Sequence, residues 1–97
     1  MTVRTSTWDP ADRLKSPERI AGYLEAAFED GDPALIAAAL GDVARARGMT
    51  ALANETGLSR ESLYRSLSAD GRPEFATILK VMRALDLRMQ PVPVGAE

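Results

Sequence analysis

At 97 residues the chain is long enough for one domain and too short for two independent cores, and 45% hydrophobic with 27% charged side chains is an ordinary globular balance. Cysteine and histidine are both absent, which excludes disulfides, thiolate zinc sites and the usual general base. A formal net charge of −2 disfavours polyanionic partners unless the positive charge is concentrated in one segment.

Met1 to Lys15 reads as an irregular arm, followed by one domain over residues 16–97. The arm has no apolar core of the signal-peptide kind, and no stretch approaches the length of a membrane helix, so a cytoplasmic protein without a membrane role is the expectation. Trp8 and Leu14 are placed to pin the arm to the body, a packing role weighed above a binding hot spot. Ser16-Pro17-Glu18-Arg19 is a helix start, with serine as N-cap and proline at the first helical position. Ile20, Ala21, Leu24, Ala27 and Phe28 follow at helical spacing and form one apolar stripe. Asp30-Gly31-Asp32 stops this helix, and Asp32-Pro33 starts the next by the same device. Its expected buried stripe is Leu35, Ile36, Leu40, Val43 and Ala44, ending at Gly48.

The segment Met49 to Gly71 carries the functional signal. A short helix from about Thr50 to Thr56 buries Leu52 and Ala53, and the small alanine lets another helix cross closely. Gly57 can take the left-handed conformation that closes a turn, Leu58 seals the corner, and Ser59 caps a second helix expected to reach about Ala69. This is the layout of a helix-turn-helix over 49–69, whose second helix is held out to enter the major groove of DNA. Pro73 is then expected to open a last helix with Phe75, Ile78, Leu79, Met82 and Leu85 on one face. The tail, Leu87 to Val94, reads as extended, and two prolines confine it to an edge strand or a docked arm. The fold class is therefore all-α, with five helices and a short C-terminal edge strand.

The charges are unevenly spread. Residues 1–44 hold four basic and eight acidic side chains. Residues 45–72 hold Arg45, Arg47, Arg60, Arg65 and Arg72 against Glu55, Glu61 and Asp70, and residues 73–97 balance. On a helix turning about 100° per residue, Leu63 and Leu67 fall on one side as core anchors. Arg60, Glu61, Tyr64, Arg65 and Ser68 fall together on the other. Arg60 or Arg65 could bond guanine O6 and N7, and Glu61 could accept from cytosine N4. Tyr64 could meet phosphate through its hydroxyl or pack partly into the core. Ser59, Ser62 and Ser68 could donate to phosphates, beside the partial positive charge of the helix N-terminus. Thr50 begins the first helix of the motif, where it would meet the DNA backbone, and Arg72 is placed as a phosphate clamp.

With these residues in place, the chain resembles the HigA-type addiction-module antidotes, antitoxins with a lambda-repressor-like (Xre-type) DNA-binding fold. The resemblance runs from about Trp8 to Leu87 and rests on LGDVARARGM, on ETGLSRESLYRSLS, and on Gly71, Pro73, Phe75, Thr77, Lys80 and Val81 in order. It implies a dimeric protein that represses its own operon by binding operator DNA and neutralises a small basic toxin of the RelE/ParE-like superfamily. Such a toxin would be a partner for the acidic N-terminal part. Arg72 stands where asparagine is common and Asp86 where glycine is usual, so the resemblance is weakest at the cap of the last helix and before the terminal strand. The other readings are a stand-alone or phage-type repressor without a toxin, and a protein-interaction module that does not touch DNA. No catalytic residue, metal ligand or cofactor site is expected. Acidic pairs such as Asp30 and Asp32 sit at a helix boundary where capping accounts for them.

Overall fold

The computed structural model describes residues 16–95, so the expected arm at 1–15, with Trp8 and Leu14, lies outside the described residues. Five helices follow one another: α1 (Pro17–Asp30), α2 (Pro33–Arg47), α3 (Met49–Thr56), α4 (Arg60–Ser66) and α5 (Phe75–Ala84). The first two start where cap and proline place them. Ser16 Oγ accepts from the Arg19 N–H at 3.2 Å, and Asp32 Oδ1 accepts from the Ala34 N–H at 3.1 Å. Each satisfies an amide that would otherwise lack a partner in the first turn.

α1 and α2 form a hairpin, α3 packs on α2, and α3 in turn carries α4 and α5. The core draws on all five helices: Ile20 and Leu24, Leu40 and Val43, Met49 and Leu52, Leu63, then Val81, Met82 and Leu85, with Leu67 just beyond α4. Among the described residues no polar or charged side chain is buried, so the interior carries no desolvated group in need of a partner. No helix of the described residues is long and apolar enough to cross a membrane.

Four expectations need correction. Leu35 is 44% exposed in the first turn of α2, on a side that no described element covers. Phe75 and Leu79 are 64% and 39% exposed, because the face of α5 that packs is Ile78, Val81, Met82 and Leu85, a cleaner i, i+3, i+4, i+7 stripe. Pro73 does not open α5: the helix begins at Phe75, with Glu74 as an N-cap whose side chain makes no capping bond. No strand forms over the tail 87–94, since the described residues offer no second strand to pair with.

The resemblance is weakest at Asp86, and there the backbone takes the left-handed conformation, with φ 63°. The Asp86 N–H donates to the Arg83 carbonyl at 3.0 Å and the Leu87 N–H to the Met82 carbonyl at 2.9 Å. That pair of bonds is a Schellman closure, completed by Leu87 packing on the core, and it accepts aspartate at the position usually given to glycine.

Candidate nucleic-acid interface

α3, the turn Gly57-Leu58-Ser59 and α4 form the candidate site, and the turn is built from local bonds. Gly57 sits at φ 77°, a conformation that costs an ordinary L-residue roughly 1–2 kcal/mol, and its N–H closes α3 on the Ala53 carbonyl at 2.9 Å. Thr56 Oγ1 donates to the Leu52 carbonyl at 2.8 Å and accepts from the Leu58 N–H at 3.3 Å, tying the corner to the helix before it. Leu58 is half-buried against the core, and Ser59 Oγ accepts from the Ser62 N–H at 3.0 Å to cap α4. Ser59 uses only its acceptor there, so its hydroxyl proton remains available to an anion.

α4 is anchored by Leu63 and Leu67, both 0% exposed. Each such side chain contributes about 1.5–3 kcal/mol relative to leaving it in water. Gly41 in the middle of α2 makes a close approach from another helix: a Cβ built there would lie 2.1 Å from the Leu67 carbonyl oxygen. Only glycine lets the two backbones come so near. A mid-helix glycine costs about 1 kcal/mol of helix propensity against alanine, which is the signal in the sequence that could have singled out Gly41.

The polar side of α4 is open. Arg60, Glu61, Tyr64 and Arg65 are exposed, as are Ser59 before it, Thr50 near the start of α3 and Arg72 after it; Ser62 and Ser68 are half-buried. Arg60 lies over the Tyr64 ring, its guanidinium carbon 5.7 Å from the centroid. The cation–π contact engages the guanidinium's charge without using its N–H donors. Tyr64 is 42% exposed and carries this cation instead of entering the core.

The structure shortens the second helix. α4 stops at Ser66, Leu67 turns away at φ −94° and ψ 63°, and the expected extension to Ala69 does not form. Ser68 therefore lies past the helix, where its hydroxyl donates to the Arg65 carbonyl at 3.1 Å, and the Gly71 N–H closes on the Ser68 carbonyl at 2.9 Å. These bonds satisfy a terminal carbonyl and fold the chain back, and they commit the Ser68 proton that a phosphate would need. Arg45, counted with the central arginines, is paired with Asp42 at 2.7 Å, and Asp42 also accepts from the Tyr23 hydroxyl at 2.7 Å. Among the described residues, the central arginines without an ion pair are thus Arg47, Arg60, Arg65 and Arg72, with Glu55, Glu61 and Asp70 among them.

The arrangement can present hydrogen-bond donors in the plane of a groove: guanidinium edges from one helix face, a hydroxyl at its start and a further arginine beyond its end. Comparison with known proteins gives it a context. The family model described as "probable addiction module antidote protein" matches residues 4–93. An uncharacterized protein of Haemophilus influenzae (strain ATCC 51907 / DSM 11121 / KW20 / Rd) is 47% identical over 90 residues, covering 93% of each chain. No solved structure matches.

Proposed function

The chain belongs to the family of probable addiction module antidote proteins, and from that premise we propose that it is a cytoplasmic, DNA-binding antitoxin of the HigA type with a lambda-repressor-like, Xre-type helix-turn-helix. In this reading it neutralises a small basic toxin of the RelE/ParE-like superfamily by direct binding and represses its own operon as a homodimer. Family membership supports the toxin–antitoxin context. The observation that carries the DNA-binding part is α4 itself, with Leu63 and Leu67 fully buried on one side and Arg60, Glu61, Tyr64 and Arg65 exposed on the other. Arg60 and Arg65 are the base-reading candidates, and Thr50, Ser59, Ser62 and Arg72 the backbone-contacting ones. A homodimer is part of the reading because one short helix covers only a half-site. The tail, with Met89, Val92 and Val94 exposed, is the candidate seam between two copies.

The test is titration of the full chain against labelled DNA from its own promoter at several salt concentrations. Wild type binds, more weakly as salt rises, and the double variant Arg60→Ala/Arg65→Ala loses promoter-specific binding while keeping its fold. Undiminished promoter binding by the double variant would remove α4 as the recognition helix.

A further inference from the structure

Away from the DNA-facing side of α4, an open groove of about 770 Å³ runs between the α1–α2 corner, the segment 69–73 and the start of α5. Phe28, Ile36 and Ile78 form its floor as half-buried extensions of the core, and Phe75 stands in it 64% exposed. A phenylalanine so exposed at the mouth of an apolar depression is the form a protein-docking site takes on a free chain. Its setting is acidic. Asp32 and Asp70 line the groove, Glu29 and Glu74 adjoin lining residues in the chain, Asp30 lies two residues before Asp32, and all five are exposed. Among the lining residues described, Arg72 is the one cation. The sequence has no lysine or arginine between Arg19 and Arg45, so the α1–α2 corner projects carboxylates alone.

We infer that this groove is the docking site for a basic protein partner, which inserts an apolar side chain beside Phe75 and sets flanking lysines or arginines against Asp32 and Asp70. The inference rests on the antidote reading, and names the surface through which the toxin is held. Apolar contact at the centre supplies affinity, and the carboxylates steer encounter and fix orientation. The carboxylates disfavour the phosphate backbone of DNA, and Arg72, the proposed phosphate contact, is the lining residue that the two surfaces share.

The experiment co-expresses the full chain with the protein encoded beside its gene and measures the complex by calorimetry. Phe75→Asp and Asp70→Lys are each expected to weaken the complex by about tenfold or more, with the melting temperature preserved and operator affinity not reduced. Because Phe75 and Asp70 are exposed, neither variant removes a core contact. A photo-crosslinking residue at position 75 is expected to capture the partner, and one at position 60 is not. Wild-type affinity in both variants would overturn the groove assignment and leave the antitoxin reading standing. So would capture, at position 75, of residues 1–15 or of a second copy of the chain. Failure of the wild-type chain to bind the neighbouring product at all would overturn the antitoxin reading, and the inference with it.

Discussion

Gly41→Ala should destabilise this protein, against the rule for glycine in a helix. In the middle of α2 the substitution gains about 1 kcal/mol of helix propensity. Its methyl carbon, however, would sit 2.1 Å from the Leu67 carbonyl oxygen and 3.1 Å from the carbonyl carbon, both backbone atoms that cannot rotate away. Relief requires α2 and the end of α4 to separate by roughly 1 Å, and overpacking of that kind costs typically 1–3 kcal/mol. Leu67, 0% exposed, would lose part of its packing at the same time. The net expectation is a loss of about 1–2 kcal/mol, or a melting temperature lower by roughly 5–15 °C for a domain of this size. Gly22→Ala is the internal control. It lies in α1, exposed, with nothing within 4 Å of an added Cβ, so it should gain about 0.5–1 kcal/mol. Thermal and urea unfolding of the two variants beside wild type give the result as a difference in sign. If Gly41→Ala raises the melting temperature as Gly22→Ala does, α2 and Leu67 are not in the contact described.

Two further substitutions separate capping from recognition. Ser59→Ala removes the acceptor for the Ser62 N–H and should cost about 1 kcal/mol in urea unfolding. Ser59→Asp restores the cap, and so the stability, but places a carboxylate at the proposed phosphate contact, so promoter affinity should fall without any loss of fold. Asp86→Gly relieves an aspartate at φ 63° and should raise the urea midpoint by the equivalent of about 0.5–1 kcal/mol; a lower midpoint would mean that aspartate contributes something beyond its backbone conformation.

What could be read in the sequence was local. Ser16-Pro17 and Asp32-Pro33 specify two helix starts because a cap and a proline act on their own first turn, and both capping bonds are present. Gly57 and Ser59 fixed the turn of the candidate site for the same reason. What was missed depends on contacts distant in the chain. Periodicity places Leu35 and Phe75 on apolar stripes, but it does not say whether a neighbour covers the first turn of either helix, and among the described residues both stay exposed. The end of α4 is set by Leu67 docking on Gly41 and by Ser68 returning its hydroxyl to Arg65, and neither contact is implied by the residues of α4. Gly41 itself was legible only as an expense, a glycine among alanines in a helix, with its reason lying in another element. The open polar face of α4 was legible because it follows from the burial of Leu63 alone.

The salt dependence of promoter binding can assign the arginines their separate jobs. Of the five central arginines, Arg45 is already paired with Asp42 at 2.7 Å, so it has less to give a phosphate than Arg47, Arg60, Arg65 or Arg72. Each phosphate neutralised contributes about −0.9 to the slope of log affinity against log salt on duplex DNA. Arg72 lies beyond α4, after the chain has folded back, and in the proposed reading it meets the backbone. Arg72→Ala should then weaken binding to every sequence alike and make the slope shallower by about 1 for each copy bound. Arg60, with its guanidinium over the Tyr64 ring, is assigned to bases. Arg60→Ala should cost about 1–3 kcal/mol on the promoter and much less on unrelated DNA, narrowing the gap between specific and non-specific binding. Filter-binding or anisotropy titrations on both kinds of DNA, at four or more salt concentrations, measure the two quantities independently. A uniform loss for Arg60→Ala together with a sequence-selective loss for Arg72→Ala would exchange the two roles. It would place the recognition surface at the 69–73 segment, not on α4.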